Sequence, residues 1–135
     1  MEHYDHLKLR TLKEDYKYVL FENKDFASSA LRELISLDMD FFFFSFQGEV
    51  SLICRTDIAL DAKSEMKGWT GIRIVGEMPF GSVQGLISNI SNSLMEESVG
   101  VCIVSTYLTD VFFIREKYLT KATSVLSDKG WKFEN

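Results

Sequence analysis

Between Gly100 and Arg115 the chain reads GVCIVSTYLTDVFFIR: two apolar runs, Val101 to Val104 and Val111 to Ile114, separated by the polar cluster Ser105, Thr106, Tyr107, Thr109 and Asp110. Short, nearly continuous runs of β-branched and aromatic residues are the pattern of strands covered on both faces. The polar cluster then reads as a tight hairpin. Rigid strands on either side would present its carboxylate, hydroxyls and open backbone groups to a ligand.

Upstream of the hairpin, Ile72 and Ile74 alternate in a strand from Trp69 to near Glu77, and Pro79-Phe80-Gly81 turns into a helix that Ser82 can cap. Val83, Leu86, Ile87, Ile90 and Leu94 give that helix its apolar stripe. Downstream, a helix starts at Glu116 or Lys117, carries Leu119, Ala122 and Leu126 on one side and ends at Gly130, before a last strand from Trp131 to Phe133. The order strand, helix, strand, strand, helix, strand is a pair of split βαβ crossovers. The expected fold is therefore α+β and ferredoxin-like, one antiparallel sheet with two helices on one face.

The first half imitates this order. Leu7 to Leu12 and Tyr16 to Phe21 read as a hairpin about Lys13-Glu14-Asp15, and Asp25 is placed to cap a helix from Phe26 to Leu37 with Ala27, Ala30, Leu31, Leu34 and Ile35 on one face. Phe41 to Phe46, the turn Gln47-Gly48 and Val50 to Arg55 give two more strands. The run FFFF is an aggregation hazard on an open edge, so it is expected to be central or covered by a partner. Asp57 to Gly68 is a long loop or short helix. Two tandem lobes follow, residues 1–62 and 63–135, with the first incomplete.

Composition narrows the function. The chain has 135 residues, a formal net charge of -5 and a pI near 5.0, which argue against nucleic acid or an anionic membrane as partner. No apolar stretch approaches the roughly 20 residues that span a bilayer, and MEHYDHLKLR lacks the apolar core of a signal peptide, so a cytoplasmic protein is expected. Cys54 and Cys102 each lie in an apolar run and read as buried, reduced thiols; no metal or other cofactor is expected. The two histidines, His3 and His6, fall in what reads as a loose, solvated terminus. Without a Ser-His or Cys-His set elsewhere, an enzyme is the least favoured class.

Four stretches resemble the ACT-domain proteins, in particular small tandem-ACT bacterial proteins related to the CASTOR-type arginine sensors: GEVSLIC at 48–54, KGWTGIRIVGEMPF at 67–80, the helix start GSVQGLISNIS at 81–91, and VSTYLTDVFFIREKYLTKATSVLSDKGW at 104–131. The resemblance is dense in the second half and thin in the first. It implies a regulatory module that binds a free amino acid between two ACT lobes and acts on another protein.

The residues themselves fit a zwitterion. Gly85, in the first turn of its helix with Leu86, offers unpaired N–H groups and the positive dipole end to a carboxylate. Asp110 complements an ammonium or guanidinium, and Thr106 with the Tyr107 backbone adds neutral hydrogen bonds. Taken singly, Gly85 reads first as a packing glycine and Asp110 as a turn carboxylate, and only their joint occurrence shifts the balance toward a ligand site. By the resemblance, a neighbouring lobe closes the pocket through Gly100 and Val101, which builds the site at a homodimer interface; Val50 and Ser51 are the intramolecular alternative. A ligand-free interaction or dimerisation module of the same fold is the other class that the sequence leaves open.

Overall fold

The computed structural model describes residues 4–77 and 85–134 and divides into two compact units, Glu14–Gly68 and Met1–Lys13 with Trp69–Asn135. Where the sequence suggests one boundary, between lobes 1–62 and 63–135, the units meet at two, 13/14 and 68/69. The first strand belongs with the C-terminal half because its partners lie there. We call Glu14–Gly68 the inserted unit and the remainder the terminal unit.

The terminal unit is built from β1 (Lys8–Thr11), the later part of the long strand β5 (Ser64–Val75), helix α2 (Leu86–Glu96), β6 (Cys102–Ser105), β7 (Asp110–Arg115), a 3-10 turn (Glu116–Tyr118), α3 (Leu119–Asp128) and β8 (Phe133–Glu134). Its strands run β6-β7-β5-β1-β8. β7 lies antiparallel to β5, with Arg73 opposite Val111, and β1 lies antiparallel to β5 on its other side, with Arg10 opposite Arg73. β8 pairs with β1 in parallel. This is the expected β-α-β-β-α-β order with β1 added between the first and last strands.

Alternation along these strands divides the sheet into two faces. Leu9, Ile72, Ile74, Phe112 and Ile114 point to one face and pack with Leu86, Ile90 and Leu94 of α2 and Ala122 and Leu126 of α3. Each of these apolar side chains is almost wholly enclosed, worth about 1.5–3 kcal/mol for a large one. Arg10, Arg73 and Glu134 occupy the alternate positions and so share the opposite, helix-free face.

The inserted unit contains β2 (Tyr16–Leu20), α1 (Lys24–Ser36), β3 (Phe42–Phe46), β4 (Glu49–Arg55) and the start of β5, in the order β3-β4-β2-β5. That is the same arrangement with one helix missing, since no helix stands between β4 and β5. Residues Ile58, Leu60 and Ala62 of the connecting loop instead pack on the core of Val19, Leu34, Val50, Leu52 and Cys54. In the hairpin β3-β4 the φ angles of 47° at Gln47 and 87° at Gly48 are the left-handed pair that a two-residue turn requires.

Several local expectations are corrected. β1 and β2 do not form a hairpin: β1 pairs with β5 and β8, and β2 with β4 and β5. No residue from Leu12 to Asp15 has the positive φ that a tight strand turn needs. Asn23, not Asp25, caps α1: its backbone is extended and its Oδ1 accepts from the N–H groups of Asp25 and Phe26 at 3.0 and 3.3 Å. Ile35 and Ile87 point outward instead of joining their stripes. β3 is an edge strand, not a central one, with Phe43, Phe44 and Phe46 exposed. β6 is also an edge, so Cys102, opposite Phe113 on the helix-free face, is exposed while Cys54 is buried. The terminus is not loose from Tyr4 onward, for Tyr4 is buried and stacks on Trp131 with ring centroids 5.3 Å apart. Trp131 precedes the final strand and is not part of it. Pro79, Phe80, Gly81, the expected cap Ser82, Val83 and His3 lie outside the described residues.

Candidate functional site

Antiparallel pairing of β5 and β7 brings the start of β7 beside the end of β5. Asp110 is the first residue of β7 and faces Ser105 across the hairpin, so it is a strand residue and not the tip of the turn. The connection Thr106–Thr109 closes on itself: Thr106 N–H donates to the Thr109 carbonyl at 2.7 Å, and Thr109 N–H donates to Thr106 Oγ1 at 3.0 Å. Thr109 Oγ1 then donates to the Ile74 carbonyl at 2.8 Å, which fastens the loop to β5.

Asp110 is 8 % exposed, and among the described residues its carboxylate has no hydrogen-bond or ion-pair partner. Gly85 is the N-cap of α2, just ahead of the first turn, with φ 73° and no side-chain cap. The first N–H groups of α2 therefore have no protein acceptor supplied by a capping side chain. A Cβ at Gly85 would lie 3.3 Å from the Tyr4 hydroxyl and in a backbone conformation that costs L residues about 1–2 kcal/mol. Leu86 is buried in the core, so only its backbone faces outward.

The other expected residues divide. Thr106 spends its hydroxyl within the loop, donating to the Thr109 carbonyl at 3.1 Å as well as accepting, and Tyr107 is 80 % exposed. Gly100 and Val101 stand at the far end of β6: the register Cys102 opposite Phe113 puts Gly100 level with Arg115, about 17 Å along β7 from Asp110 at 3.4 Å per residue. One copy of the chain does not bring them together. Gly100 is exposed without positive φ, and Val101 packs against the core. In the inserted unit Val50 is enclosed in the core, whereas Ser51 faces the other side of the sheet, where Oγ donates to Glu49 Oε2 at 3.5 Å.

Two residues with a part in this region carried no role in the sequence reading. Thr109 was visible in the polar cluster, but only the register shows its bond to β5. Tyr4 gave no signal, since an aromatic among polar residues near a terminus has no periodicity to betray burial. Trp131 Nε1 donates to Asn89 Oδ1 at 3.0 Å, tying α2 to the segment before β8. Cavities of about 230 and 300 Å³ open instead in the inserted unit, the larger lined by Tyr18, Leu20, Ser51, Glu65 and Met66. Neither touches Asp110 or Gly85, and both are shallow and open, so the chemistry of the terminal unit is the stronger indication. Among the described residues no three His, Cys, Asp or Glu side chains converge as a metal site, and no helix is long and apolar enough to cross a membrane.

No curated protein sequence matches the chain. Among solved structures, a protein from Agobacterium tumefaciens superposes with a TM-score of 0.78 at 22% identity, covering 96% of this chain and 92% of that one. The regulatory subunit of aspartate kinase from Thermus thermophilus, in ligand-free form, matches with a TM-score of 0.66 at 10% identity over 89% of this chain and 94% of its own. Aspartate kinase from Clostridium acetobutylicum matches with a TM-score of 0.66 at 15% identity over 89% of this chain and 33% of that enzyme. At these identities the likeness establishes the fold. Residues 65–128 match the family model of the ACT domain, and the α+β, ferredoxin-like fold of the chain is the ACT fold.

Proposed function

We propose that the protein is a regulatory module, not an enzyme, that binds a free amino acid at the terminal unit. The ligand carboxylate rests on the N–H groups at the start of α2, near Gly85 and Leu86, and its ammonium or guanidinium meets Asp110. The observation that carries this reading is Asp110, an acidic residue only 8 % exposed at the start of β7, whose carboxylate has no protein partner among the described residues. A cation would relieve its isolation, and a charge-assisted contact of this kind is worth about 1.5–3 kcal/mol. The likeness to a regulatory subunit of aspartate kinase and to an allosteric aspartate kinase supports the same class of role, and the resemblance to CASTOR-type sensors makes arginine the first amino acid to test.

On this reading the protein is a cytoplasmic homodimer, an assembly that the exposed phenylalanines of edge strand β3 support, and Gly100 and Val101 of one copy close the pocket of the other. The regulated partner is another protein. Desolvation and lost ligand freedom leave a dissociation constant between about 1 μM and 1 mM. Thermal shift of the full chain against the twenty amino acids is the test. One of them should raise the melting temperature of the wild type, and Asp110→Ala should abolish the shift while remaining folded by circular dichroism. Undiminished affinity in Asp110→Ala removes the zwitterion site, and no shift at millimolar concentration favours a ligand-free interaction module.

A further inference from the structure

The helix-free face of the terminal unit brings two arginines together. Arg10 on β1 and Arg73 on β5 are direct cross-strand partners, and both alternate with core residues, Leu9 on one strand and Ile72 and Ile74 on the other. Like charges directly opposite each other on a sheet repel, and exposed positions ordinarily avoid the arrangement. Arg10 NH2 pairs with Glu134 Oε1 on β8. Arg73 has no ion pair or hydrogen bond to its guanidinium among the described residues. The Nε atoms of both arginines are buried and lack an acceptor. Lys8, two residues before Arg10 on the same face of β1 and exposed, adds a third positive charge. This is a locally positive patch on a chain whose net charge is -5.

We infer that Arg10 and Arg73 form an oxyanion site that takes phosphate, free or as a phosphomonoester. The unpartnered guanidinium of Arg73 and the remaining donors of Arg10, which Glu134 engages through one nitrogen only, match an acceptor with several oxygens disposed tetrahedrally. A single carboxylate offers two coplanar oxygens, a role that Glu134 already fills toward Arg10. The bound anion would meet the outer guanidinium N–H groups that solvent reaches, the Nε atoms themselves being enclosed, and would screen the repulsion between the two cations. Arg115, farther along the same face, is not available in this way because its guanidinium carbon lies 4.7 Å over the Trp69 ring. The site is separate from the amino-acid reading and does not depend on it.

The test is a titration of the 15N-labelled full chain with inorganic phosphate, methyl phosphate and acetate at constant ionic strength, without any amino acid, following the arginine Nε–H resonances. The expected result is a saturable shift of the Arg10 and Arg73 signals with inorganic phosphate, leaving Arg115 unmoved. A response to methyl phosphate as well assigns the site to esterified phosphate; a response to inorganic phosphate alone assigns it to the free ion. Arg73→Gln should weaken binding by roughly tenfold or more, and Arg10→Gln likewise, as loss of a charge-assisted fork predicts. Arg73→Lys, which keeps the charge and the fold but loses the fork, should bind more weakly than wild type. No saturable shift up to about 20 mM, equal binding of acetate, or undiminished binding in Arg73→Gln overturns the assignment.

Discussion

Lys17 is the buried cation of the inserted unit, and the consequence of removing it can be worked from its surroundings. Its side chain is 3 % exposed, and Nζ donates to the Ile58 carbonyl at 2.6 Å and to Glu65 Oε1 at 2.8 Å, while Glu65 itself is 25 % exposed. The two ends of the ion pair are therefore not equivalent. Glu65→Leu strands an enclosed ammonium with one carbonyl, and removal of one partner from a buried pair costs about 3–5 kcal/mol. Lys17→Met leaves the Ile58 carbonyl unpaired but lets the Glu65 carboxylate turn to water, so the cost is about 1–3 kcal/mol. The double variant should lose less than the sum of the two, by roughly 1–3 kcal/mol of coupling. Urea unfolding of the four proteins at pH 7 measures all of this. If Lys17→Met costs as much as Glu65→Leu, or the double variant is additive, Lys17 does not hold the loop 56–63 in the place where a second helix would stand.

Two further outcomes follow from close packing and from burial of thiols. A Cβ at Gly71 would lie 2.5 Å from Leu12 Cδ1 and 3.2 Å from Phe113 Cε1, so Gly71→Ala should cost about 1–3 kcal/mol in denaturant unfolding, and adding Leu12→Ala should return part of it. Burial pushes the Cys54 thiol up to about 11, only partly opposed by Lys17, whereas Cys102 is exposed. An aromatic disulfide reagent at pH 8 should therefore label one cysteine in the native protein and two after unfolding; labelling of Cys54 at the rate of Cys102 would refute the burial. Because the folded thiol titrates above the usual 9.0, its contribution to stability is complete below about pH 9 and declines as pH rises toward 11.

Periodicity carried the fold because each element had a buried face to announce. Phe112 and Ile114, Leu86, Ile90 and Leu94, and Ala122 and Leu126 all alternate or recur as their elements require, and all join one core. Strand order was less legible. Leu7 to Leu12 and Tyr16 to Phe21 look alike as neighbouring apolar strands, and nothing local in Lys13-Glu14-Asp15 says that β1 leaves to pair with β5 and β8. Edge position was hidden for the same reason: the apolar runs at β3 and β6 resemble central strands, but β3 exposes its aromatics and β6 exposes Cys102.

The candidate site shows how far chemistry read from residue types extends before register takes over. Asp110 and the helix start at Gly85 read as complementary partners for a zwitterion, and the register shows that the start of β7 lies beside the end of β5. The expected hydroxyl of Thr106 is consumed by its own loop, a competition typical of threonine in turns. Gly100 and Val101 looked adjacent to the hairpin in sequence, but a strand converts five residues into a separation of about 17 Å. A contribution from Gly100 to an Asp110 pocket therefore requires a second copy of the chain. The pocket that includes Gly100 depends on the homodimer, whereas a homodimer through the β3 edge can form without it.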